Sequence, residues 1–330
     1  MLKFLQVMMY EAIKNFHTQF SYEPEIVNGE HLPKKSSFAV VGMGGSAHAA
    51  ELLKICKPNL DFSVRRDYGL PKLPMAELRN KLIILSSYSG NTEEVIDAFM
   101  EAKDNDLDMA VIAVGGELLR LAVENETPYI QLPNTGIQPR SALGFSIKAF
   151  LKIVGEEDEL KNISTLAATL NPSDYEEAGK NLAKKMKGYV PVIYSSNTNT
   201  SVAYNWKIKL NETGKIPAFY NIFPELNHND MNGFDVQDST KELSEKFYFL
   251  ILKDSDDNPK ILKRMEVLQK LYKDRNLKIE TLEIKGQSVW EKIFSSLLVA
   301  DFVSYFTALE YGLEADQVPM VEEFKKLILE

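Results

Sequence analysis

The order of apolar runs and turn residues predicts an α/β fold, with doubly wound parallel sheets and helices at the chain's ends. Two observations carry this. A short apolar strand, a glycine-rich or hydroxyl-rich turn and a helix follow one another repeatedly in the first half, and the same grammar returns in the second. Parallel strands need a crossover of a dozen or more residues, so this spacing places helices on both faces of a sheet.

Along the chain, MLKFLQVMMYEAIKNF carries apolar residues at helical spacing. Phe38-Ala39-Val40-Val41 reads as a short buried strand, Gly42-Met43-Gly44-Gly45-Ser46 as its turn and AHAAELLKIC as the next helix, with FSVRR a possible second strand. Leu82-Ile83-Ile84-Leu85 is another strand. Ser86-Ser87-Tyr88-Ser89-Gly90-Asn91 is a polar turn before a helix from Thr92, with Asn91 and Glu94 spaced as an N-cap and its support. A strand from Met109 to Val114 ends in Gly115-Gly116, and PRSALGFSIKAFLKIVG reads as one long helix starting at Pro139. The acidic segment Glu156 to Glu159 breaks the apolar period and divides the chain into residues 1–155 and 156–330. Beyond it, Tyr189 to Ser195, Phe247 to Leu252 and Leu277 to Ile284 are strands, and Val202 to Leu210 and Pro259 to Lys273 are helices. Helices around Val289 to Tyr311 and Val318 to Leu329 close the chain.

Composition sets outer limits. With 330 residues, 45% of them hydrophobic, the chain can bury a core and is neither a disulfide scaffold nor a disordered segment. Its single cysteine, Cys56, cannot form an internal bridge, which fits a reducing cytoplasm. Asp and Glu number 47 against 38 Lys and Arg, a net charge of -9, so no nucleic-acid partner is expected. Any anion site must then be local, built from backbone N–H groups, hydroxyls and one or two placed cations. Glu11 and Lys14 interrupt the N-terminal apolar stretch, and no basic flank or small-residue cleavage site accompanies it, so no leader is expected. No run reaches the roughly 18 uninterrupted apolar residues of a membrane span, so no membrane partner is expected either.

Two turns carry candidate chemistry. Gly42-x-Gly44-x-x-Ala47 satisfies the dinucleotide pattern, with Asp67 further on, which is one reading of the turn. A purely structural turn is another, since any open parallel sheet needs one. A third is a different anion: Gly44-Gly45-Ser46 clears side chains and offers a hydroxyl at a helix start, while Ser86, Ser87, Ser89 and Thr92 cluster at a second one. Ligands of doubly wound sheets sit beyond the carboxyl ends of the strands, so both turns would face one crevice. Hydroxyls, N–H groups and a helix N-terminus suffice for a phosphate cradle without lysine.

Residues 204–234 are the least routine stretch. Glu212 ends a helical pattern, where the helix dipole does not stabilise a carboxylate, which makes it a candidate general base. An aromatic run, Phe219, Tyr220 and Phe223, leads into Pro224-Glu225-Leu226-Asn227-His228-Asn229-Asp230, where Asn227, Asn229 and Asp230 could fix the tautomer of His228. The histidines at 17, 31, 48 and 228 are scattered, with neither H-E-x-x-H nor C-x-x-C, so no zinc site is expected. Arg140 places a guanidinium at a helix start, which is unfavourable unless an anion is near.

GMGGSA at 42–47, SSYSGNTEE at 86–94, PRSALGFS at 139–146, NETGKIPAFYNIFPELNHND at 211–230 and the terminal VEEFKKLI together resemble the bifunctional phosphoglucose/phosphomannose isomerase family. The resemblance implies two sugar-isomerase (SIS) domains, each a doubly wound, flavodoxin-like parallel sheet, and aldose–ketose isomerisation of hexose 6-phosphates with no cofactor or metal. It implies that Gly44, Gly45 and Ser46 line the sugar side and that Ser87, Ser89 and Thr92 hold the phosphate. Glu212 would carry the proton between C1 and C2 through a cis-enediol, and Arg140 would face the enediolate. His228, supplied by the second subunit of a homodimer, would assist ring opening, and Lys325, beside Lys326, would support the ring oxygen or phosphate. Ala47-His48-Ala49-Ala50, Thr213-Gly214 and Glu314-Ala315-Asp316-Gln317 depart from the family pattern and bear on the choice between glucose and mannose. A sugar-phosphate sensor on the same fold would bind without turnover.

Overall fold

The computed structural model describes residues 2–328, so Met1, Leu329 and Glu330 lie outside the described residues, Leu329 being the last residue of the expected closing helix. The chain forms two compact units, Asn15–Leu170 and Met1–Lys14 with Asn171–Glu330. This differs from a division at 155/156. The helix after the acidic break buries Leu160 and Ile163 with the first unit. The N-terminal helix, α1 (Leu2–Lys14), belongs to the second, where Tyr10 donates to Glu176 at 2.9 Å and Lys14 to Ser173 at 2.6 Å.

In the unit of residues 15–170 the order is β1 (Ser37–Gly42), α2 (Gly44–Cys56), β2 (Asp61–Arg65), α3 (Met75–Leu78), β3 (Leu82–Ser86), α4 (Glu93–Asp104), β4 (Met109–Ala113), α5 (Gly116–Glu124), β5 (Tyr129–Gln131), α6 (Leu143–Ile153), α7 (Glu157–Ser164) and α8 (Leu166–Thr169). All five strands are parallel, in the order β2-β1-β3-β4-β5. Strands β1, β3 and β4 are continuous apolar runs because helices cover both faces of the sheet. The order reverses between β1 and β3, and the register Val41↔Leu85, Gly42↔Ser86 brings their carboxyl ends level. This is the switch point at which open α/β sheets bind ligands.

The second unit continues with α9 (Glu176–Met186), β6 (Val190–Ser196), α10 (Thr200–Glu212), β7 (Phe219–Phe223), α11 (Lys241–Ser244), β8 (Phe247–Asp254), α12 (Pro259–Asp274), β9 (Lys278–Ile284), α13 (Val289–Glu310) and α14 (Pro319–Leu327). Its parallel sheet has the order β7-β6-β8-β9. The aromatic run 219–223 is thus an edge strand, with Phe219 and Tyr220 exposed. By length and composition alone α13 could cross a membrane, but 78% of that stretch is buried within the protein: it is a core helix packed against α9 and α10.

Candidate active site

The two turns beyond β1 and β3 are fastened to each other. The Tyr88 N–H donates to Ser46 Oγ at 3.1 Å. Within the second turn Ser87 Oγ accepts the Gly90 N–H at 3.0 Å and lies 2.7 Å from Thr92 Oγ1, while Ser89 Oγ accepts the Asn91 N–H at 3.2 Å. In a pair of hydroxyls only one proton is used between them, so one O–H of Ser87 and Thr92 stays available to an oxygen ligand. Ser89 is exposed and the N-terminus of the twelve-residue α4 opens directly behind Thr92. The loop is held in place by Gly90: at its φ of 73° a Cβ would lie 1.7 Å from the Gly115 carbonyl oxygen. That approach redirects Asn91. Its side chain does not cap α4, as its spacing from Glu94 suggests; Thr92 occupies the N-cap position, and Asn91 Oδ1 accepts the Glu117 N–H at the start of α5, 3.0 Å away.

Arg140 comes to the same place. A Cβ on Gly45 would meet the Pro139 carbonyl oxygen at 2.8 Å, so only glycine lets the first turn lie against the Arg140 turn. Arg140 is 5% exposed. The expected single helix from Pro139 is instead a 3-10 turn, Pro139–Ser141, followed by α6. Gln19 causes the break: its buried amide donates to the Ser141 carbonyl at 2.6 Å and accepts the N–H groups of Gly144 and Phe145 at 3.0 and 3.4 Å, capping α6 three residues after Arg140 begins to turn. Nothing in the local pattern around Gln19 signals this role. Of the other candidates in this unit, Asp67 is bound to Arg65 at 3.0 Å and to the Tyr68 N–H at 2.9 Å. His48 is buried, 3.3 Å from Arg66 and 3.7 Å from Glu51. Burial works against ionisation of Glu51, yet the contacts with His48 and Arg66 prevail and hold its carboxyl below the usual range.

In the second unit Glu212 is the half-buried last residue of α10. One turn earlier Lys209, 1% exposed, pairs with Asp301 of α13 at 2.5 Å, which anchors that end of the helix in the core. The charge at 209 was visible beside Glu212; its burial was not. Lys215 donates to the Glu212 carbonyl and to the Gln317 carbonyl. His228 is exposed on a loop between β7 and β8 whose base is Leu226, fully buried. The neighbours expected to orient His228 turn elsewhere: Asn227 accepts from Arg264 at 3.2 Å, Asn229 donates to Glu225 at 2.8 Å and Asp230 accepts the Tyr194 hydroxyl at 2.8 Å. They fix the loop, leaving the imidazole at its surface. Lys325 lies on α14, exposed and paired with Glu322 at 2.8 Å.

Parallel sheets with a hydroxyl-lined turn at the switch point define a sugar-isomerase-type α/β protein. The C-terminal domain of glucosamine-fructose-6-phosphate aminotransferase from Francisella tularensis has the same fold, with a TM-score of 0.65 at 16% identity over 96% of this chain and 98% of that one. Residues 175–328 match the family described as the bacterial phospho-glucose isomerase C-terminal SIS domain. A bifunctional phosphoglucose/phosphomannose isomerase of Aquifex aeolicus is 31% identical, covering 96% of this chain and 97% of its own. One from Caldicellulosiruptor bescii is also 31% identical, covering 98% and 99%. The chain belongs to the bifunctional phosphoglucose/phosphomannose isomerase family.

Proposed function

We propose that this enzyme interconverts glucose 6-phosphate, and mannose 6-phosphate, with fructose 6-phosphate. The observation that carries the reading is the Gly42↔Ser86 register, which sets the Gly44-Gly45-Ser46 turn beside the hydroxyl turn. Membership of the family supports it. In this reading Ser87, Ser89, Thr92 and the N-terminus of α4 take the 6-phosphate, and Gly44, Gly45 and Ser46 face the sugar. Once the ring is open, Glu212 removes the proton on C2. The C2–H electron pair forms the C1=C2 bond while O1 gains a proton, and the cis-enediol results. Glu212 then returns its proton to C1 as O2 loses its own, which leaves the ketose. Arg140 faces the oxygen on which charge develops. Because C2 is planar in the enediol, the configuration that separates glucose from mannose is lost there, and one intermediate serves both aldoses.

His228 would protonate the ring oxygen, and its exposed position suits donation to the site of a second copy, with Lys325 supporting the ring oxygen or phosphate. We place the enzyme in the cytoplasm, consistent with one unbridged thiol. The test is fructose 6-phosphate formation in chelator by the parent and by Glu212→Gln, with kcat expected to fall by about 10²–10⁴-fold in the variant. Saturable sugar-phosphate binding without turnover in the parent would instead make the chain a sensor. Mixing Glu212→Gln with His228→Ala chains should restore activity if His228 crosses to a partner. No recovery from a verified mixed dimer would count against that arrangement.

A further inference from the structure

We propose that Lys215 is a positioning residue for the proton-transfer base, its ammonium fastening the end of α10 at Glu212 to the segment that leads into α14. The proposal rests on the role given to Glu212 above. The chain leaves α10 through Thr213 and Gly214, whose N–H groups both donate to the Lys209 carbonyl, at 2.9 and 3.1 Å. Lys215 follows with a φ of 58°. Glycine ordinarily takes this left-handed place after a helix, because a Cβ crowds the backbone there. The turn is closed by Asn211, which donates to the Ile216 carbonyl at 2.9 Å.

From this backbone the side chain folds back, and Nζ donates to the Glu212 carbonyl at 2.5 Å and to the carbonyl of Gln317. Gln317 is held through its N–H as well. Glu314 accepts the N–H groups of Asp316 and Gln317, at 2.5 and 2.7 Å. A lysine that caps the last carbonyls of its own helix is ordinary. Capping does not call for a second carbonyl 102 residues away in the chain. The consequence is that one ammonium ties the end of α10 that carries Glu212 to the segment leading into α14, which carries Lys325, the two groups this unit would present to the sugar from its helices.

The test compares Lys215→Met, Lys215→Arg and Glu212→Gln with the parent, in kcat and KM for glucose 6-phosphate and in amide hydrogen exchange. For Lys215→Met, kcat should fall by about 10–100-fold with KM within about threefold, since a displacement near 1 Å is sufficient for a loss of that order. Exchange across residues 313–328 should quicken about tenfold, the loss of a charged hydrogen bond. Lys215→Arg keeps the charge and both carbonyls in reach, so it should recover part of kcat and most of the protection. Faster exchange with unchanged kcat would make Lys215 a cap only and overturn the proposal, as would unchanged exchange. Full activity of Glu212→Gln would overturn the base assignment and the positioning role with it, and the exchange result would then report the fastening alone.

Discussion

The Tyr88 amide and the Ser46 hydroxyl, 3.1 Å apart, join the turn beyond β1 to the turn beyond β3. As the acceptor in this bond Ser46 keeps its own proton, so one side chain both fastens the crevice and can donate to a ligand oxygen. Ser46→Ala removes both services. We expect a loss of about 1 kcal/mol in stability and a rise of about tenfold in KM for the sugar phosphate. Denaturant unfolding and initial rates check the two separately; a change in stability with KM unmoved would confine Ser46 to fastening.

Gly90 tests how strictly the phosphate turn is built. Gly90→Ala combines a φ of 73° with a collision against the Gly115 carbonyl. Gly136 has the same φ with nothing within 4 Å of a Cβ, so Gly136→Ala measures the backbone strain alone. The expected losses are about 1–2 kcal/mol at 136 and about 3 kcal/mol or more at 90. Equal shifts in thermal unfolding for both would mean that the loop simply moves away from residue 115.

The Lys209–Asp301 pair, 1% and 9% exposed, is deep enough for one abandoned charge to be costly. Asp301→Leu should destabilise by about 3–5 kcal/mol, whereas Lys209→Met with Asp301→Leu should regain much of that. A double-mutant cycle in urea measures the coupling, and additive losses would contradict it. The pair secures the helix turn that carries Glu212, so the double variant also reports whether a hydrophobic anchor holds the base equally well in kcat.

Strands β1, β3, β4 and β8 were legible in the sequence because burial on both faces leaves unbroken apolar runs. Strand β7 was not: its Phe219 and Tyr220 are exposed and mimic a functional aromatic cluster. The candidate side chains could be named from their types and spacing, but their partners could not. Asn91 had the spacing of a cap for α4 and caps α5 because two glycines meet backbone to backbone. Asn227 and Asp230 stand beside His228 in sequence yet bond Arg264 and Tyr194, which other elements bring in. Gln19 meets Arg140's turn across more than a hundred residues, a pairing only the fold creates.

The anchor of the His228 loop should also be visible in alkaline stability. Tyr194 donates to Asp230 at 2.8 Å, and its hydroxyl lies 3.5 Å from that of Tyr272. Burial pushes the Tyr272 phenol up to about 12, and burial, reinforced by Tyr272 and Asp230, raises Tyr194 further. An unfolded tyrosine titrates near 10, so between about pH 10 and 12 the unfolded chain releases protons that the folded chain retains. The stabilisation is therefore complete below about pH 10 and is lost as pH rises through the folded values, at about 1.4 kcal/mol per pH unit for each such tyrosine. Tyr22, also raised to about 12 by burial, adds to the parent's slope, so the informative quantity is the difference between parent and variant. Tyr272→Phe should flatten urea-derived stability against pH by one proton. Tyr194→Phe should do the same and, by releasing Asp230, lower activity already at neutral pH; a variant with the parent's slope would show that these phenols titrate as they do in water.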